Sequence, residues 1–231
     1  MQQAVTHVNN ISDLNKFYAK VYGLVAGGIG LSAFVSFLTI NLFLHQLINL
    51  ASNPVIFFGL WIGELILVWV ASSAASKNKP TALPLFIIYA VLNGITLSVT
   101  LLFYAGQNVL GAFLTTTAMF VGLSIVGVTI KKDLSGMARA LIAGVIGLIV
   151  ASIVNIFIGG TTLSLIISIV GVLIFSGLIA YDSQKVRQIF EQTNGNVPQG
   201  WAVSMALGLY LDFINMFLYI LRIIGGSSRE D

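Results

Sequence analysis

Cysteine is absent, charge is scarce, and histidine occurs only twice. The missing cysteine excludes disulfides, thiolate metal sites and cysteine nucleophiles. His7 and His45 have no partners at ligand spacing, so neither reads as a metal ligand. Only 8% of the 231 residues are charged, against about 25% in soluble domains. A water-soluble fold of this length could not cover its surface with so few polar groups. The formal net charge of +3 is therefore no nucleic-acid signal, and no nucleic-acid partner is expected. Proline does not occur after Pro198, and residues 201–224 contain no lysine.

What fills the chain instead is apolar, 57% of all residues. A helix needs about 20 apolar residues to cross the hydrocarbon core. Windows of that size fall at 21–44, 54–76, 83–105, 109–130, 139–159, 162–183 and 201–224. They are continuously apolar rather than alternating, which argues against a β-barrel. The expected fold is all-α, a polytopic membrane protein with a bundle of seven transmembrane helices. Residues 1–20 read as a cytoplasmic N-terminal tail, 21–226 as the transmembrane domain and 227–231 as a short C-terminal tail. No small-residue cleavage site follows the first polar stretch, so the first apolar run reads as a retained helix.

The connections alternate in charge. One set carries Lys16, Lys20, Lys77, Lys79, Lys131, Lys132, Arg139, Lys185 and Arg187. The other set, near 45–53, 105–108 and 159–161, carries no lysine or arginine. The positive-inside rule puts the first set, and the N-terminus, in the cytoplasm. Seven crossings put the C-terminus outside, whereas a re-entrant last segment keeps it inside. Gly23 with Gly27, and Gly59 with Gly63, have the spacing that lets membrane helices approach closely. They read as packing positions with no chemical role.

Lys20 and Arg139 lie at the lips of spans. Inside the spans or at their edges, the charged residues are Glu64, Asp182, Asp212 and Arg222. An ionised side chain at the bilayer centre costs about 2.5–3.5 kcal/mol on insertion scales, so such residues usually face a cavity, an ion path or a partner. Glu64 lies near the middle of the second span and Asp182 at the cytoplasmic end of the sixth. Asp212 sits roughly 16 Å along the seventh. The sixth span descends to the cytoplasm and the seventh leaves from it, so Asp182 and Asp212 can approach each other. Two close carboxylates cannot both ionise cheaply, and such a pair titrates as a unit. With its shared proton lost, the doubly negative cluster suits a hard cation such as Ca²⁺. The plain alternative is that each acid is satisfied separately, Asp182 for example by Lys185 one turn on. Arg222 near the outer end reads as a snorkelling side chain.

The segments GLIAYDSQKVRQIFEQ and ALGLYLDFINMFLYILRIIGG, with KKDLSGMARALIAGVIGLIVASIVNIF before them, closely resemble the Bax inhibitor-1, or transmembrane Bax-inhibitor-motif, family. The likeness covers about residues 18–226, and its specific part is the tandem of Y-D-S-Q and L-Y-L-D-F-I-N. It implies a seven-helix bundle with the last helix central, and a pH-responsive Ca²⁺ leak through the membrane. It implies that Asp182 and Asp212 are the pH sensor and gate, and that Ca²⁺ is the ion bound or carried there. It also implies that Glu64 is the second-helix acid on the ion path. The third-helix acid of some members is missing here, and Asn93 is the nearest polar substitute. The arginine that latches the aspartates in some members is missing too, so Lys77 is the candidate latch. The family's link to apoptosis belongs to its eukaryotic members. This short, loop-poor chain resembles the bacterial branch, which implies an inner membrane. No cofactor is expected.

Three rivals remain. Intramembrane aspartyl proteases also pair two membrane aspartates, but their Gly-x-Gly-Asp and later Pro-Ala-Leu motifs are absent. A retinal protein needs a lysine in the last helix. A non-conducting scaffold or regulator that binds other membrane proteins is the alternative to an ion leak. On either surviving reading the chain is not an enzyme.

Overall fold

The computed structural model describes the backbone of residues 2–227 and the side chains of residues 12–226. The side chain of His7 and the C-terminal tail read at 227–231, apart from the Ser227 backbone, lie outside the described residues. Eight helices follow one another: α1 (Gln2–Leu42), α2 (Leu44–Ser52), α3 (Pro54–Ser76), α4 (Ala82–Leu101), α5 (Gly106–Thr129), α6 (Ser135–Ile158), α7 (Thr161–Gln192) and α8 (Gln199–Ser227). Among the described residues seven of these are long and apolar enough to cross a membrane, all except the nine-residue α2. The chain is thus an all-helical polytopic membrane protein with seven spans, as its composition requires.

The boundaries follow local chemistry. Asn53 caps α3: its side chain accepts hydrogen bonds from the amides of Val55 at 3.1 Å and Ile56 at 3.3 Å, and Pro54 occupies the first turn. Both devices start helices. At the other end of α6, Gly159 adopts φ +69°, the left-handed cap that glycine takes without strain.

Three features differ from the expected layout. The stretch read as an N-terminal tail continues into α1 as one helix. Residues 45–53, read as a bare loop, largely form α2, which buries Leu47. The sixth span runs ten residues beyond Asp182, because Val186, Ile189 and Phe190 in its polar extension are buried and hold it helical.

The chain divides into two compact units, residues 1–103 with 189–210, and residues 104–188 with 211–231. In the first, α1 packs along α4, and the closest approach is at Gly94. A Cβ there would lie 2.7 Å from the Ser32 carbonyl oxygen. Phe86 and Tyr89 pack edge-on against Tyr210, with ring centroids 5.6 and 5.8 Å away. In the second unit Gly127 of α5 lies against the Ala180 carbonyl of α7, and Gly171 of α7 against the Tyr219 ring of α8. Phe113, Phe120, Phe213 and Phe217 form an edge-to-face aromatic stack.

Gly23, Gly27, Gly59 and Gly63 do not sit at close helix crossings. All four are exposed, and a Cβ at any of them would meet nothing within 4 Å. The spacing is right, but that face of each helix points outward. Burial separates the spans. Just over half of the apolar window of α4 and of α8 is buried, against 6% for α6. The last helix is therefore one of the two most enclosed spans, as a central last helix implies, and α4 is the other. Beyond Arg139 the exposed side chains of α6 are apolar, Phe157 being 85% exposed, as hydrocarbon contact requires.

Candidate functional site

The second unit holds the two aspartates. Asp182 stands on α7, two residues beyond the Gly127–Ala180 crossing, and Asp212 on α8. Beyond Asp182, α7 is fastened to the segment joining α5 and α6. The fully buried Gln184 accepts a hydrogen bond from the Leu134 amide at 2.8 Å and donates to the Lys132 carbonyl at 2.8 Å. Arg187 donates to the Val128 carbonyl at 2.8 Å and the Ile130 carbonyl at 3.3 Å. A single side chain from each of two helical turns thus satisfies backbone groups left open at the end of α5 and the start of α6. In the same segment the Ser135 amide donates to Asp133, with Gln188 adding a weaker bond, and these hold its carboxyl below the usual range.

Asp182 is half-buried, whereas Asp212 is 7% exposed. The Asp182 charge acts directly on Asp212. One Asp212 oxygen, Oδ2, is buried without a hydrogen-bond partner among the described residues, and so is the Ser183 hydroxyl beside Asp182. An unpaired carboxylate oxygen in a closed site is costly unless it takes a proton or a cation. Lys185 influences Asp182 electrostatically but forms no salt bridge with it. Its ammonium instead lies 5.8 Å from the Tyr181 ring centroid. Among the described residues Lys16–Asp13 is the one salt bridge, and it is exposed. No cluster of three or more acidic, histidine or cysteine side chains is present among them. Any hard cation at the pair would therefore meet no third acidic side chain among the described residues.

Glu64 and Lys77 belong to the first unit. Lys77 caps the end of α3 and is exposed. Glu64 is buried, and its Oε1 accepts a hydrogen bond from the Thr96 hydroxyl at 2.6 Å. Asn93 is a second polar side chain beside it. The Asn93 carbonyl oxygen accepts from the Tyr210 hydroxyl at 2.8 Å, and Ser32 Oγ lies 2.7 Å from that hydroxyl. Five buried side chains from α1, α3, α4 and α8 thus form one polar cluster, with Glu64–Thr96 and Asn93–Tyr210–Ser32 as its bonded groups. Asn93, noted in the sequence as a polar substitute for an acid, is one of its members. Arg222 is exposed near the end of α8, its guanidinium 5.8 Å from the Tyr219 ring centroid, consistent with a snorkelling side chain.

Sequence reasoning missed Ser32, Thr96, Tyr210, Gln184 and Arg187. Gln184 and Arg187 stand one turn apart in the Y-D-S-Q-K-V-R run, where the polar residues around them hid them among groups that read as a connection. Ser32 and Thr96 gave no signal, because a hydroxyl in a membrane helix commonly bonds its own i−4 carbonyl.

These features define a polytopic helical membrane protein with two electrostatically interacting aspartates in one unit and a buried carboxyl in the other. The sequence profile of the family described as inhibitor of apoptosis-promoting Bax1 matches residues 14–229. The chain belongs to that Bax inhibitor family. It is 52% identical over 229 residues to a membrane protein of Streptococcus pyogenes serotype M1, covering 99% of this chain and all of that one. It is 39% identical over 234 residues to a protein of Deinococcus radiodurans, covering all of this chain and 98% of that one. It is 37% identical over 216 residues to the inner membrane protein YbhL of Escherichia coli, covering 92% of each.

Proposed function

We propose that this protein is a calcium leak of a bacterial inner membrane, gated by a proton shared between Asp182 and Asp212. The observation that carries the reading is the enclosed Asp212 carboxylate, with one oxygen unpartnered and the Asp182 charge acting on it. Neighbouring carboxylates compete for one proton. With that proton bound, a single hydrogen bond can join the two side chains and hold α7 to α8. With it gone, the two groups repel each other unless a divalent cation takes its place, and Ca²⁺ accepts such all-oxygen surroundings. Family membership and the name of the Escherichia coli relative support the membrane assignment. The nine basic connection residues support a cytoplasmic N-terminus.

The test is Ca²⁺ flux from liposomes holding the purified protein, across pH. Asp182→Asn and Asp212→Asn should each flatten the pH dependence. The double substitution should add little to either, since each removes the same shared proton. Wild-type pH dependence in both single variants would refute the gate. Absence of flux from correctly folded protein at every pH would favour the non-conducting scaffold.

A further inference from the structure

The buried cluster around Glu64 has a geometry that the acid pair lacks. Glu64 is bonded directly to Thr96 at 2.6 Å, and beside that pair Asn93 bonds to Tyr210 at 2.8 Å and Tyr210 stands 2.7 Å from Ser32. A metal cation would have to part these oxygens to coordinate between them. A proton would not. Tyr210 donates to the Asn93 carbonyl oxygen, which leaves the Asn93 amide nitrogen as the end available to Glu64. Asn93 thus offers a donor, and as an amide it does not relay protons.

Thr96 is the adjustable member. Its hydroxyl lies 2.6 Å from Glu64 Oε1 and 3.2 Å from the Leu92 carbonyl oxygen. A hydroxyl has one proton and two acceptor lone pairs. When Glu64 is ionised, Thr96 donates to it. When Glu64 is protonated, the acid donates to Thr96, and the Thr96 proton turns to Leu92. Both states keep every bond satisfied without moving a helix. No basic side chain pairs with Glu64 among the described residues, and the titratable groups its charge reaches are Tyr89 of α4 and Tyr210 of α8. On α2, the short helix packed beside α3, the titratable side chain is His45, which is exposed.

We propose that Glu64, with Thr96 as its switching partner and Asn93 and Tyr210 as positioning residues, is a reversible proton-binding site. The ion exchanged at this acid is then H⁺ rather than Ca²⁺. This gives the expected ion-path residue a specific ion, yet it does not depend on the leak at Asp182 and Asp212.

Infrared difference spectroscopy of the purified protein in lipid tests it without measuring flux. The Asp182→Asn, Asp212→Asn double variant serves as background, so the pair contributes no carboxyl signal. A protonated-carboxyl C=O band should appear and vanish reversibly with pH, and should be lost on Glu64→Gln. Thr96→Val should move that band to higher frequency by removing its hydrogen bond, which identifies Glu64 even if the glutamine variant folds poorly. Tyr210→Phe should shift its titration midpoint. The proposal is overturned if no such band is assignable to Glu64 at any pH where the protein is folded. It is equally overturned if the band persists at every such pH, which would make the acid a permanent structural hydrogen-bond donor.

Discussion

Glu64 and Asp212 are both buried acids in apolar helices, yet their surroundings differ. Glu64 has a bond from Thr96, with the polar Asn93 beside it, while Asp212 leaves an oxygen unpartnered. The sequence picks out both acids because a charge in an apolar run is conspicuous. It does not reveal which one is satisfied, since the partners Thr96 and Tyr210 resemble ordinary residues of a membrane helix. Asn93 was visible only as a polar residue in the right span. Outside the spans, Asp133 gives a direct check on the local geometry. Its bonds from Ser135 and Gln188 favour the ionised form. Their contribution is therefore present above the ordinary carboxylate range, and is lost as pH falls through the lowered folded-state value. Carboxyl NMR of selectively labelled protein should find Asp133 titrating below the ordinary aspartate range, and Ser135→Ala should move it back toward that range. A midpoint for Asp133 above the ordinary range would contradict the arrangement.

At the scale of elements, the end of α7 depends on one glutamine. Gln184→Leu leaves the Leu134 amide and the Lys132 carbonyl without their partner, at a cost of about 1–3 kcal/mol for each group that stays buried. The expected result is a lower thermal midpoint in detergent with helix content unchanged. Gly127→Val should lower it further, because the added side chain meets the Ala180 carbonyl where backbone cannot yield. Gly63→Val, at an open position, serves as the comparison and should cost little. Equal effects at Gly63 and Gly127 would overturn the assigned crossing. This contrast also marks a limit of sequence reading. Spacing of i and i+4 singled out Gly23, Gly27, Gly59 and Gly63, but spacing carries no information about which face turns inward. The close approaches lie at Gly94, Gly127 and Gly171, outside those pairs. The short helix α2 escaped notice because nine uncharged residues beside a long apolar run read equally well as loop.

For the whole molecule, the seven spans were legible because length and apolarity alone define a crossing. The extension of α7 was not, since its polar residues looked like a connection while three of its apolar side chains are in fact buried. Topology rests on the distribution of lysine and arginine. Reporter fusions at Asn53, Gln107 and Gly160 should read outside, and one at Asn78 inside. An outside signal at Asn78 would reverse the orientation, and a fusion at Ser227 separates a spanning final segment from a re-entrant one. The leak itself is tested most directly by one measurement: Ca²⁺ release from liposomes containing the purified wild-type protein, followed across pH beside Asp212→Asn. A pH-dependent release in the wild type, made nearly pH-independent by Asp212→Asn, is the expected result. Release that follows pH identically in both proteins would contradict a gate at the aspartate pair.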